Sequence, residues 1–364
     1  MSHVAIAGSG IIGLTAALEL RAKGFEVTVV DRGPFGAEAS SAAGGMLAPQ
    51  LEASGPGAML ELGLRSRALW PALARQVEQA SGHDVDYRPN GVLRCAFDDG
   101  AAHHLDSEHA WQNATGLRSE LVDAKRAQQL EPLLNPKLLL GLYLADDHAI
   151  DPSRFMPALV EAARKAGVTL RTAEVRALQV KHGRATGLEL ADGALAADRV
   201  VNALGAWATR PEGFGLPADV VKPVRGQIIE LATPLSPRVT LGSSKGYLLG
   251  RKGGKLIAGS TKEDVGYDKS TTEAGIAQIR AGVEAVLPQL AGVQPTASWS
   301  GLRPGTRDEA PLIGPSAIEG LCWATGHYRN GILLAPVTAR LVGQWAAGQA
   351  LPAWAGACNP ARFA

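Results

Sequence analysis

Hydrophobic and polar positions along the first thirty residues follow a simple order. His3 to Ala7 is a short apolar run that reads as a strand, and Leu14, Ala17, Leu18 and Leu20 then recur at helical spacing until Lys23-Gly24 ends the pattern. A second apolar run, Glu26 to Val30, reads as a strand that ends at Asp31. Leu60, Leu64, Leu69, Leu73 and Val77 predict an amphipathic helix over Gly57 to Ala80. Val85 to Tyr87 and Gly91 to Phe97 are strand-like, and Asp98 to Asn113 reads as a solvated loop or helix face. Asp151-Pro152 predicts the N-cap and first residue of a helix that reaches Lys165 and stops at Gly167.

Beyond that helix the pattern is strand-rich. Val168 to Leu170, Val175 to Val180, Thr186 to Leu190 and Arg199 to Asn202 are predicted strands, with turn signals at His182-Gly183 and Asp192-Gly193. From Val220 to Trp299 the pattern becomes antiparallel: strands Gln227 to Leu231, Gly246 to Leu249 and Lys255 to Gly259, a hairpin turn at Arg251-Lys252-Gly253-Gly254, and one helix from Glu273 to Leu287. Leu321 to Thr325 reads as a strand. A last helix is predicted from Ile332 to Ala347, with Pro336 tolerable only near its first turn.

Composition narrows the class. A chain of 364 residues exceeds the usual size of one hydrophobic core, so two domains are expected. With 46% hydrophobic and 20% charged residues it is an ordinary globular composition. A formal charge of +1 offers no basic field for phosphates, so nucleic acid is not an expected partner. Cys95, Cys322 and Cys358 stand far apart without a C-x-x-C pair, which predicts neither a disulfide framework nor a zinc site. No metal is expected at His103, His104 and His109 either, because no carboxylate or thiolate repeats beside them at ligand spacing. Asn113-Ala114-Thr115 matches a glycosylation sequon and reads as a coincidence. With no basic leader and no apolar run of roughly 18 residues, a soluble cytoplasmic protein is expected.

The N-terminal pattern carries chemistry. Gly8-Ser9-Gly10-Ile11-Ile12-Gly13 lies between strand and helix and Asp31 closes the next strand, which is the context a dinucleotide fingerprint requires. Gly8 makes the turn, Gly10 admits a pyrophosphate to the backbone, Gly13 lets helix and strand pack, and Asp31 can accept the ribose hydroxyls of an adenosine. The small residues of Ala39-Ser40-Ser41-Ala42-Ala43-Gly44-Gly45-Met46-Leu47 would let a flat ring and a second phosphate lie against the backbone.

Three separated stretches then point together: the fingerprint with SSAAGGMLAPQLE, the run Trp299-Ser300-Gly301-Leu302-Arg303-Pro304-Gly305-Thr306, and GHYRNGILLAP from Gly326. With Lys222-Pro223-Val224-Arg225-Gly226-Gln227 and the Tyr247 to Thr261 hairpin, the chain resembles the flavin-dependent D-amino-acid oxidase superfamily, and within it the glycine oxidases of the thiamine pathway. The resemblance covers essentially the whole chain. It implies an α/β (α+β) fold in which a Rossmann-like FAD-binding domain, residues 1–84, 146–215 and 300–364, is interleaved with a substrate domain on a mainly antiparallel sheet, residues 85–145 and 216–299. It further implies FAD contacts through Gly8, Gly10, Ile11, Ile12, Gly13, Asp31, Arg32, Ala39, Ser40, Gly44, Gly45, Met46 and Val175, and through the turn carrying His327, Asn330, Gly331, Ile332 and Leu333. Arg303 would hold the substrate carboxylate, helped by Tyr247 and Arg329, and FAD would be non-covalent because no Cys or His occupies the positions where relatives tether it. Glycine oxidases are tetramers, so a homo-oligomer is implied.

The expected chemistry is oxidation of a small amino acid, with the protein supplying orientation and electrostatics and the cofactor the redox step. An Arg suits the carboxylate because its planar fork donates two parallel hydrogen bonds. Gly331 to Leu333 would set free N–H groups at a helix start against the N1–C2=O edge of the flavin. The expected reaction takes glycine, sarcosine or small D-amino acids to the imino acid, with oxygen giving hydrogen peroxide. A D-amino-acid dehydrogenase with another acceptor, a flavin-binding subunit without substrate chemistry and a nicotinamide dehydrogenase are the competing readings. Glu52 is a candidate for steering the substrate amine but is not among the expected site residues, and Lys262 bears on pocket size.

Overall fold

The structure is a computed structural model, and residues 1–363 are described. Its centre is a six-stranded sheet in the order Leu312–Pro315, Leu321–Thr325, Arg199–Asn202, His3–Ala7, Glu26–Asp31 and Thr169–Thr172. All neighbours are parallel except the first pair. The inner strands are covered on both faces, which is why His3–Ala7 reads as a nearly unbroken apolar run, whereas the edge strand Thr169–Thr172 is only partly buried. Val4, Ile6, Val27, Val29 and Val201 face the core shared with helices Ile11–Ala22, Ala58–Ser81, Pro152–Lys165 and Gly331–Ala346. Ala5, Ala7, Val30, Val200 and Trp323 face the other core, beneath an antiparallel sheet of Gly193–Ala196, Arg184–Leu190 and Val175–Lys181.

An eight-stranded sheet forms the second layer system, in the order Ala297–Thr306, Val221–Ala232, Lys255–Gly259, Gly246–Arg251, Thr240–Ser243, Val92–Ala96, Leu140–Leu144 and Glu120–Val122. It is antiparallel apart from the Thr240–Ser243 and Val92–Ala96 pair. Ile229, Leu231, Leu248 and Ala258 face a core with helix Glu273–Val286. Residues of opposite parity, Ile228 and Tyr247 among them, face a cavity instead. The α/β architecture with a mainly antiparallel second sheet is therefore as expected.

Several local expectations are corrected. Val85 to Tyr87 is not a strand: Asp86 has φ +53° and grips the Arg88 guanidinium with both carboxylate oxygens, leaving only an Arg88–Ala149 bridge. Asp98 to Asn113, read as a solvated loop or helix face, is of the second kind: it forms the helix Asp99–Ala114, whose Asp98 cap accepts from Ala101 N at 2.8 Å. The Trp299 to Thr306 run is a strand, in spite of two glycines and a proline. Pro304 faces Pro223 across the ladder, so the two residues without an N–H share one rung. That strand also runs across residue 300, where the nucleotide domain was expected to resume.

Pro336 lies beyond the first turn of helix Gly331–Ala346. The ladder survives because Ser66, from helix Ala58–Ser81, inserts its hydroxyl: Oγ donates to the Leu333 carbonyl at 2.6 Å and accepts from Val337 N at 3.3 Å. The predicted cap at Asp151 is present, accepting from Ser153 N at 2.9 Å. No helix among the described residues is long and apolar enough to cross a membrane. Cys95, Cys322 and Cys358 are buried free thiols, and burial pushes Cys322 up to about 12 and Cys358 to about 11.

Candidate active site

A cavity of about 790 Å³ runs from the glycine turn after His3–Ala7 to the strands Gly246–Arg251 and Ala297–Thr306. At the turn, steric limits demand glycine. Gly8 has φ +104°, and a Cβ there would stand 2.3 Å from the Ala203 carbonyl oxygen. A Cβ on Gly13 would stand 2.0 Å from the Gly8 carbonyl, so helix and strand meet only in its absence. Gly10 precedes the helix without a side-chain cap, and Ser40 Oγ reaches over to accept from Ile11 N at 3.0 Å. Asp31 accepts from Ser9 N at 2.8 Å, Ser9 Oγ at 2.7 Å and Gly33 N at 3.2 Å. Those donors aim the carboxylate and leave it acceptor capacity toward the cavity that it lines.

Most of the residues expected to hold a cofactor converge here. Ile11, Ile12, Arg32, Ala39, Val175 and the Gly44-Gly45-Met46 segment all line the cavity. The last segment is tied from behind: Ile150 N donates to the Gly45 carbonyl at 2.9 Å, and the buried Arg251 guanidinium donates to that of Gly44. Asn330, Gly331 and Ile332 bring the start of the last helix to the same wall. Asn330 makes no side-chain cap, so no capping side chain occupies the first-turn N–H groups of this helix start.

Three expected residues sit differently. Gly13 packs behind the turn and does not line the cavity. Leu333 is buried away from it, and its carbonyl takes bonds from Ser66 Oγ and from Trp70 Nε1 at 2.9 Å. His327 turns its ring into the core, where Nε2 lies 2.9 Å from Thr338 Oγ1, and burial pushes its pKa down to about 3. It is a neutral packing histidine, and only the rest of the residue reaches the cavity wall.

At the opposite end stands Arg303. Its guanidinium donates to Ser260 Oγ at 2.8 Å, to the Thr261 carbonyl at 3.1 Å and, at 3.4 Å, to that of Arg225. All three acceptors are neutral, and no carboxylate pairs with Arg303 among the described residues. Burial lowers its pKa, opposed by Tyr247 and Tyr328. Tyr247 lies beside it, its pKa raised by burial, with its ring fitted against two glycines: a Cβ on Gly44 would stand 2.5 Å from the hydroxyl, and one on Gly259 2.8 Å.

Arg329 is not aimed freely at this end. Its Nη2 lies 3.1 Å from Glu52 Oε2, Arg329 being 49% exposed and Glu52 only 16%. Together they border the mouth. Lys262 points away from the cavity, 3.3 Å from Glu309 and 5.3 Å above the Tyr328 ring, so it does not fill the pocket. Tyr328, with φ +47° and a buried hydroxyl that has no hydrogen-bond partner among the described residues, lines the same cavity with the Arg329 guanidinium 5.6 Å from its ring.

Sequence reading missed Arg94 and Trp207. Arg94 lines the cavity with its guanidinium on Glu108, and it is the one charged residue of an apolar strand, which was the available signal. Trp207 follows the end of the parallel strand Arg199–Asn202, where ligands of α/β sheets collect. It lies between Arg32, 4.5 Å from its ring, and Tyr267, at a centroid distance of 5.6 Å.

Comparison with known proteins agrees with this geometry. Residues 3–345 match the DAO family model, described as FAD dependent oxidoreductase. The chain is 34% identical over 347 residues to a glycine oxidase of Pseudomonas putida, covering 93% of each protein. It is 36% identical over 373 residues to the bifunctional protein ThiO/ThiG of Synechocystis sp., and it spans only 54% of that relative's length. The crystal structure of glycine oxidase from Geobacillus kaustophilus superposes with a TM-score of 0.93 at 30% identity, over 99% of this chain and 98% of that one. A family match over nearly the whole length, on a fold whose glycine turn and aspartate open on one cavity, establishes that the chain belongs to the DAO family of FAD-dependent oxidoreductases.

Proposed function

We propose that this protein oxidises glycine, and with it sarcosine and small D-amino acids, to the imino acid, with oxygen as the final acceptor and hydrogen peroxide as product. The imino acid would hydrolyse to glyoxylate and ammonia or supply thiazole synthesis for thiamine. The observation that carries the reading is Arg303, a guanidinium with neutral partners only, at the cavity end opposite the glycine turn. A charge in such a place gains most from an incoming carboxylate. The names of the relatives, glycine oxidase and ThiO/ThiG, support the same substrate class.

The residues present fit FAD. Gly8 and Gly13 leave no room for side chains at the turn, Asp31 retains acceptor capacity, and the uncapped helix start at Gly331 suits an anionic ring edge. Among the described residues the cavity is lined by no cysteine and by a single histidine, His327, whose ring is engaged with Thr338, which supports non-covalent binding. When bound, FAD supplies the two-electron acceptor for the amine's α-C–H bond. The chain's own residues do the rest. Arg303 fixes the carboxylate, and Tyr247, held between Gly44 and Gly259, bounds the space beside it. Arg329 and Glu52 pair across the mouth, where the pair screens the site and Glu52 draws in the substrate's ammonium group. The amine must lose its proton before the α-hydrogen leaves as hydride, since a protonated nitrogen has no electron pair to form the imine.

The enzyme would act in the cytoplasm as a homo-oligomer, a state that sedimentation measures directly. The test of function is a panel of glycine, sarcosine and D-amino acids, followed by peroxide release in air and by flavin bleaching without air. Bleaching and peroxide with glycine are expected. Bleaching without peroxide would assign a dehydrogenase, and no bleaching by any amine would remove the oxidase reading.

A further inference from the structure

We propose that Gly226 is a positioning residue for Arg303: its bare Cα is the floor on which the guanidinium lies. The proposal rests on Arg303 as the carboxylate site. Gly226 faces Gly301 across the ladder between Val221–Ala232 and Ala297–Thr306, and Arg303 faces Val224 two residues along on the same face. The Arg303 side chain folds back over this gap. A Cβ built on Gly226 would stand 2.0 Å from one terminal nitrogen of Arg303, 2.2 Å from Cζ and 2.3 Å from the other nitrogen. All three lie inside contact distance, so a methyl group and the guanidinium cannot share the place. Backbone strain is not the reason for glycine here, because Gly226 does not have a left-handed φ.

The guanidinium has no free path aside. Its acceptors Ser260 Oγ, Thr261 O and Arg225 O flank it. Two of the three residues are held in turn: the Arg225 side chain, 4% exposed, bonds Glu263 Oε2 at 2.9 Å and Asp268 Oδ2 at 2.6 Å, and Gln227 N donates to Thr261 Oγ1 at 2.9 Å. A methyl group at 226 therefore breaks these bonds and pushes the fork into the cavity, where the carboxylate must sit. Because the displaced atoms end a side chain, the strand itself can persist while the binding geometry is lost.

The test uses the FAD-loaded full chain and the Gly226→Ala variant. Acetate, a carboxylate without an amine, is titrated against the flavin absorption band, and glycine KM is measured separately. Gly226→Ala should keep its flavin and weaken acetate by at least about tenfold, the loss expected when charge-assisted hydrogen bonds are misaligned, with a matching rise in KM. Whatever fall in melting temperature it causes beside Arg303 should disappear in an Arg303→Met background, where the clashing atoms are gone. If Gly226→Ala alone fails to hold FAD, the double variant should recover it. Unchanged acetate affinity in Gly226→Ala, an equal fall in melting temperature in both backgrounds, or no recovery of FAD in the double variant overturns the proposal. Should Arg303→Met bind acetate as tightly as the parent, the carboxylate reading itself fails. Normal binding in Gly226→Ala with lost binding in Arg303→Met refutes only the role of Gly226.

Discussion

Replacing Arg303 with Met removes the guanidinium but keeps an unbranched apolar side chain over the same strand. If Arg303 holds a carboxylate through two charge-assisted bonds, each contributes about 1.5–3 kcal/mol, and their loss lowers kcat/KM for glycine by about 10²–10⁴-fold. Stability should respond far less. The change deletes bonds to Ser260 Oγ, Thr261 O and Arg225 O, and Arg225 O keeps its bond from Glu263 N at 3.0 Å. Against those losses, a partly buried charge with no counter-ion disappears, a relief of similar size. The melting temperature should therefore move by no more than about 1–2 °C, the equivalent of about 1 kcal/mol in a chain of this length. Rapid-mixing flavin reduction without air, with thermal unfolding followed by flavin fluorescence, reads both quantities. A kcat/KM within about threefold of the parent, or a collapse in melting temperature, would refute the reasoning, because Arg303 would then be a structural residue.

Asp31→Ala removes the acceptor for Ser9 N, Ser9 Oγ and Gly33 N, so purified protein should carry substoichiometric FAD, read from the ratio of flavin to protein absorbance. Ser66→Ala leaves Val337 N, buried behind Pro336, without its acceptor. It should cost about 1–3 kcal/mol in urea unfolding, and a cost below about 0.3 kcal/mol would contradict the bridging role. Asp147 is fully buried against Arg67 at 2.7 Å and accepts from Leu51 N at 3.0 Å; burial raises its pKa to about 6, opposed by Arg67 and by these N–H groups. Since the unfolded value is near 3.8, the folded state holds the proton longer. Its contribution to stability is therefore fully present below about pH 4 and is lost as pH rises through 6. Unfolding free energies of the parent minus those of Asp147→Asn should fall across that window, and a rising difference would reverse the sign.

The nucleotide end was legible because its constraints are local. Gly8 and Gly13 are required by the turn between two adjacent elements, Asp31 ends the next strand, and the Asp151 cap and the Arg251 to Gly254 hairpin turn depend on residues a few positions away. The Trp299 to Thr306 strand was not legible from pattern, since its glycines and proline break alternation and only the partner strand, with Pro223 opposite Pro304, makes them acceptable. Val85 to Tyr87 failed for the converse reason: a strand-like composition was overruled by the left-handed Asp86.

By itself, the sequence determined the glycine turn, the order of strands and helices around it, and the residue types gathered around a flavin and proposed to take a carboxylate. Tertiary structure alone decided what each of those residues is free to do. Arg329 is met by Glu52 from a distant short helix, His327 is turned inward by Thr338, and Lys262 is drawn off to Glu309. Arg303 keeps only neutral partners and lies on Gly226. A residue's type and spacing specify which bonds it can make, but which partner is within about 3 Å depends on segments that the chain joins only when both sheets are packed.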